Sequence, residues 1–221
     1  MKKPLIIFSS VILMSVLQRV SAQEVSRLKI AYPTPMYIGT PKDLKVDRLE
    51  KEEDISTPYL LVPQGTVNLA LGKEVKCSDP YPILGEPGLI TDGDKEAMDA
   101  SYIELDVGPQ HITIDLGEEC TIFAIAVWHF HQKARVYFDV VVQVADDPDF
   151  TAGVTTLFNN DHDNSLGLGE GEDPHYLETN KGRLLDARGI IGRYVRLYSS
   201  GNTDNNMNHY IEVEVHGKPV N

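Results

Sequence analysis

The 221-residue chain has two cysteines, one tryptophan and no Asn-x-Ser/Thr sequon. Two thiols cannot by themselves build a disulfide framework or a zinc site. Cys77 and Cys120 read either as one disulfide or as two buried free thiols, and spacing does not separate the two. Positive charge is also scarce, with 20 Lys plus Arg against 33 Asp plus Glu and a net charge of −13. A surface of that sign repels phosphate backbones and anionic lipid. It excludes nucleic acid as a partner and leaves neutral ligands, cations or a protein partner. No Gly-x-Ser-x-Gly, His-Glu-x-x-His or phosphate loop occurs, so an enzyme is not expected. No stretch keeps a 3.6-residue apolar period over three turns, which argues against a helical fold.

Long apolar runs are equally rare. The run at residues 5–17 follows Lys2 and Lys3 and precedes the small residues Ser21 and Ala22. This three-part pattern predicts a secretory signal peptide over 1–22, cut near Ala22. The run is shorter than the ~20 apolar residues of a membrane span. No later segment is a span candidate, so no membrane insertion is expected. The mature protein is expected to be secreted, periplasmic or at the cell surface.

Residues 23–64 differ in texture from the rest. Pro33, Pro35, Pro41, Pro58 and Pro63 interrupt any ladder of hydrogen bonds, and 42–54 is a charged run. This is read as a proline-rich extended arm or linker. From Asn68 onward the pattern is β. His111-Ile112-Thr113-Ile114-Asp115-Leu116 alternates polar with apolar, as a half-buried strand does. Residues 122–130 form a more continuous apolar strand. Val140, Val142 and Val144 share a face, as do Val195 and Leu197, and Ile211, Val213 and Val215, the last set with Glu212 and Glu214 opposite. Turn signals such as Asp92-Gly93-Asp94, Leu116-Gly117-Glu118 and Asp146-Asp147-Pro148-Asp149 separate these runs. Many short strands with regular turns predict an antiparallel sandwich or barrel over 65–221.

Six of these segments, in order, resemble the discoidin family, the coagulation factor five/eight type C superfamily. They are Asn68-Leu69-Ala70-Leu71-Gly72-Lys73, Ile90-Thr91-Asp92-Gly93-Asp94, Ile114-Asp115-Leu116-Gly117, Val144-Ala145-Asp146-Asp147, Arg193-Tyr194-Val195-Arg196-Leu197 and Ile211-Glu212-Val213-Glu214-Val215-His216-Gly217. The resemblance implies an eight-stranded antiparallel jelly-roll sandwich of galactose-binding-like topology. It also implies a non-catalytic binding module, most often for glycans. The other class of role is a structural or protein-interaction domain of the cell envelope.

The resemblance further implies a structural Ca2+ site. Asp92 and Glu212 match its side-chain ligands, and Leu89, Asp94 and Ile211 its carbonyls. Calcium wants six to eight hard oxygens, which such a set begins to supply. Ligand contacts are expected in the loop carrying His129, His131 and Arg135. In fucose-binding relatives this loop supplies arginines, and Arg135 matches one of them while the upstream one is absent. Tyr102 and the 159–164 loop, with Asp161 and His162, are the expected neighbours. The aromatic Trp128 is read as core. Two weaker metal readings attach to the same regions. Residues 159–171 imitate an EF-hand loop through Asn159, Asp161, Asp163 and Glu170. His129, His131, His162, His175 and His209 are numerous enough to gather around a transition metal.

Overall fold

The computed structural model describes residues 24–42, 44–51 and 59–220. The signal-peptide reading of 1–22 lies outside them. The described residues form eleven strands and one short 3-10 helix. The strands are β1 (Val25–Arg27), β2 (Leu61–Pro63), β3 (Val67–Asn68), β4 (Glu74–Cys77), β5 (Ile103–Leu105) and β6 (Gln110–Trp128), followed by β7 (Val141–Ala145), β8 (Thr155–Asn159), β9 (Arg183–Ser199), β10 (Asn208–Tyr210) and β11 (Glu212–Pro219). The 3-10 helix spans Pro87–Thr91. The main sheet runs β3-β11-β6-β9-β7-β8, with β4 also on β6. β10 pairs with β5, β1 pairs with β2, and every strand pairing is antiparallel. No helix among the described residues is long and apolar enough to cross a membrane.

The described residues form more strands than the expected eight, yet two of the expected ones are merged, for a physical reason. Residues 111–116 and 122–130 were expected as two strands around a turn at Leu116-Gly117-Glu118. They run instead as one strand, β6, with a bulge. Residues 116–119 have no partner opposite, because Asp115 pairs with Tyr194 and Cys120 with Gly192. Gly117 takes φ +89° there, a conformation that costs glycine least. A bulge sharpens twist and bends a strand without ending it. Both halves of β6 therefore stay paired with β9.

The two halves of β6 bury differently. Before the bulge Ile112 and Ile114 face the core, while His111, Thr113 and Asp115 face outward. From Ala124 onward both faces are covered. Ile125 and Val127 enter the main core with Val142, Val195, Leu197 and Val213. Ala126 and Trp128 enter a second cluster with Ala97, Phe130 and Ile211, against which Ile30 and Tyr32 of the arm pack. A strand buried on both faces reads as a continuous apolar run, which is what 122–130 is.

The arm is tied down at several points. Asn180 Nδ2 donates to the Pro33 carbonyl at 2.7 Å, and the Tyr37 hydroxyl donates to the Glu178 carbonyl. Arg183 pairs with Glu50 at 2.7 Å, and Leu49 bridges to His175. Gly182 permits the close approach of the underlying loop, since a Cβ there would lie 2.4 Å from the Val127 carbonyl and 2.8 Å from the Trp128 ring. The Trp128 indole N–H donates to the Asn180 carbonyl at 3.0 Å. Cys77 and Cys120 are both free thiols. Cys77 sits opposite Ile112, before the β6 bulge, and Cys120 lies beyond it.

Candidate functional site

The loop after β6 returns its side chains to the protein. His129 is fully buried, and its Nδ1 donates to Glu178 Oε2 at 3.1 Å. Its ring stacks on Tyr137 at 4.4 Å. His131 is also fully buried, with Nε2 donating to the Lys95 carbonyl at 3.0 Å. Arg135 is 3% exposed. It donates to Asp204 Oδ2 at 2.8 Å, and its guanidinium lies 4.9 Å above the Phe130 ring. The sequence pointed to all three as direct ligand contacts. The tertiary fold places them beneath the surface, because the apolar run of β6 draws the start of this loop inward.

What reaches solvent above them is a small patch. Tyr102 is half-buried, with its ring 4.7 Å from Phe130 and 5.7 Å from His209. His209 links Tyr137 to Glu104. A carboxylate can only accept, so Nε2 donates to Glu104 Oε2 at 2.9 Å and Nδ1 accepts from the Tyr137 hydroxyl at 3.0 Å. Burial pushes His209 down to about 4, so it is a neutral ring near pH 7. The Asp204 side chain, at 49% exposure, forms the rim over Arg135. The patch thus offers one aromatic face and two carboxylates at the surface, with the neutral His209 ring and the pinned Arg135 guanidinium buried behind them. Glu104, Asp204 and the pairings of His209 with Glu104 and of Arg135 with Asp204 were not legible in the sequence. They sit on β5, a distant loop and β10, which only pairing brings together.

Asp161 and His162 belong elsewhere. Asp161 is buried and accepts from the Ser165 and Leu166 N–H groups, each at 2.9 Å. Its carboxylate gathers with those of Asp139 and Asp163, all within 4.8 Å of one another. Glu170, the expected twelfth EF-hand position, is not in that group. Burial, then Asp161, raises the Asp139 carboxyl above its ordinary range. His162 Nε2 donates to the Asp173 carbonyl at 2.8 Å, and its ring meets His175 at 4.6 Å. None of these contacts involves the Tyr102–Arg135 patch. Among the described residues no three of the five histidines gather as metal ligands.

The aspartate turn and the last strand do meet. The Gly93 N–H donates to Glu212 Oε2 at 3.1 Å. Glu212 is fully buried, and its Oε1 has no hydrogen-bond partner. Burial first, with Glu214 and Asp92 adding, pushes its carboxyl up to about 8. Exposed Asp94 uses its carboxylate within its own turn, accepting from Ser101 Oγ and from the Glu96 N–H, each at 2.9 Å. That leaves its carbonyl, the group expected to serve. A buried, half-satisfied carboxylate next to a second carboxylate is costly alone and well suited to a hard cation. The residues present therefore fit calcium. Glu214, on the face opposite Val213, is buried rather than solvated, held by Lys95 at 2.5 Å and His216 at 2.9 Å.

No family model matches the sequence, and no curated protein matches it. Solved structures do match in shape. The family 89 glycoside hydrolase of Clostridium perfringens, in complex with its substrate GlcNAc-alpha-1,4-galactose, superposes with a TM-score of 0.51 at 15% identity, over 70% of this chain and 15% of that one. The same enzyme with 2-acetamido-1,2-dideoxynojirmycin gives 0.50 at 16%, with the same coverage. This chain has the discoidin-like, galactose-binding-like fold. A fucose-binding module of Streptococcus pneumoniae is also similar, at 18% identity over 67% of this chain and 96% of that module, with a TM-score of 0.47.

Proposed function

We propose that the protein is an exported, non-catalytic carbohydrate-binding module. It recognises sugar at the loop-end patch of Tyr102, Glu104, Asp204 and His209, with Arg135 beneath. The observation that supports this reading is the juxtaposition of a half-buried aromatic face with fixed donors and acceptors. Pyranose rings present CH faces and OH edges, so they need both. The Phe130 ring and Asp204 hold the Arg135 guanidinium in place, which lowers the entropy lost on binding. His129 and His131 act from behind, by fixing the loop. The basic start and apolar run of the first 22 residues support export. Asp92 and Glu212, with the carbonyls of Leu89, Asp94 and Ile211, would hold a structural calcium that pins the turn to β11.

The test is a glycan array run on the mature protein in calcium and in chelator. Binding to a defined sugar, lost in Tyr102→Ala, supports the reading. An array without hits, together with recovery of one protein partner by pull-down, replaces it with the interaction-domain alternative.

A further inference from the structure

The strand register builds a second, unassigned surface on the outward face of β4, β6 and β9. Antiparallel pairing sets side chains in rungs across the three strands. Glu74, Asp115 and Tyr194 form one rung. Lys76, Thr113 and Arg196 form the next. His111 and Tyr198 form a third, with their rings 5.2 Å apart. All of these residues but Tyr198, with the 148–149 segment, line a cavity of about 330 Å³, at the lower end of ligand-site volumes.

The face is held rigid. Arg196 donates through Nε to Thr113 Oγ1 at 2.8 Å and through a terminal nitrogen to the Pro148 carbonyl at 3.0 Å. Its guanidinium lies 4.1 Å from the Phe150 ring centre, so the wall and the floor are joined. Arg193 grips Asp115 with two bonds of 2.7 and 2.8 Å and covers one side of the Tyr194 ring at 5.0 Å. Burial, then Arg196, lowers His111 below the usual imidazole range, so it is an uncharged ring near neutrality.

The chemistry selects the ligand. Lys76 and Arg196 are offset by Glu74, Asp149 and the already paired Asp115, so the groove has little net field for an anion or a cation. It does offer aromatic rings between fixed donors and acceptors. Strands lie ~4.8 Å apart, so successive strands present their groups at about the repeat of an extended sugar chain. We propose that this sheet face is a second binding site, separate from the loop-end patch, for a linear stretch of neutral polysaccharide.

The test uses amide chemical-shift mapping on the mature protein. The probes are cellohexaose, mannohexaose, xylohexaose and laminarihexaose, each at millimolar concentration. At least one should shift Thr113, Tyr194 and Arg196. Tyr194→Ala should weaken that titration about tenfold or more, and Arg135→Ala should leave it unchanged. Lys76→Ala, at an exposed position, gives the same comparison should Tyr194→Ala fail to fold, with a weaker titration expected. Unmoved sheet-face amides with all four sugars overturn the proposal. So do shifts confined to Tyr102, Glu104 and His209, a result that would still support the loop-end reading. Titrations identical to the parent in both sheet-face variants also overturn it.

Discussion

Glu212 and Gly93 lie 119 residues apart and are joined by a 3.1 Å hydrogen bond from the Gly93 N–H to Glu212 Oε2. That bond docks the aspartate turn on the last strand and leaves the second carboxylate oxygen buried without a donor. Its consequence is a pH-dependent stability. The unfolded carboxyl ionises near 4.5 and the folded one near 8. Between those values the folded state keeps a proton that the unfolded state has lost. In chelator, the contribution of Glu212 to stability should therefore fall as pH rises from 4.5 to 8, by roughly 4–5 kcal/mol, and level off above. Excess calcium should flatten that slope and add ~2.7 kcal/mol at a hundredfold excess over Kd. Glu212→Gln should abolish both effects. Melting temperatures in chelator that do not fall between pH 6.5 and 8, above the range in which the buried histidines act, would rule out the buried-acid account.

Acid should destabilise through different groups. Burial holds His209 and His175 each at about 4, against 6.5 for an unperturbed imidazole. Below 6.5 the unfolded chain takes up protons that the folded one refuses. The contribution of these two histidines to stability should thus drop as pH falls from 6.5 to 4, by roughly 3 kcal/mol each. Urea midpoints at pH 7 and pH 5 in a Glu212→Gln background, which removes the opposing carboxyl, measure this, and adding His175→Gln should reduce the difference. The same neutrality of His209 predicts sugar affinity that is flat between pH 6 and 8.

Arg135→Ala should not be a clean binding variant. The guanidinium is buried against Phe130 and paired with a half-exposed Asp204. Its loss should cost about 1–2 kcal/mol of stability as well as affinity. Tyr102→Ala should lower affinity about tenfold or more with a smaller loss in melting temperature. Calorimetric titration beside thermal melts separates the two. A Tyr102→Ala protein with parental affinity would move the sugar site away from this patch.

The arm should behave as part of the folded unit. Ile30 and Tyr32 pack against the cluster containing Trp128. Replacing both with alanine should cost roughly 2–3 kcal/mol and shift the fluorescence of the single tryptophan to the red. A spectrum and a urea midpoint identical to the parent would show that the arm does not cover Trp128 in solution.

The two thiols should both count as free in denaturant and react slowly in the native state. Burial, then Asp79, pushes Cys77 up to about 11, so little thiolate exists at neutral pH. Cys120 is buried. A thiol assay before and after unfolding checks this, and a count of zero in denaturant would reveal a disulfide.

The alternation of residues 111–116 and the paired valines were enough to read an all-β sandwich, because side-chain period is a local property of the backbone. The discoidin-like fold was legible for the same reason, through short segments such as Asp92-Gly93-Asp94 and Ile114-Asp115-Leu116-Gly117. Contacts across the sandwich were not. Lys76, Thr113 and Arg196 share a rung, yet they come from three distant segments, and lateral pairing leaves no periodic trace in the chain. The sequence pointed to the loop of His129, His131 and Arg135. Only the tertiary structure decided that these side chains turn inward, since burial depends on what covers a strand. The arm covers the outer face of β6 after its bulge, and that one packing event buries Trp128 on the arm side.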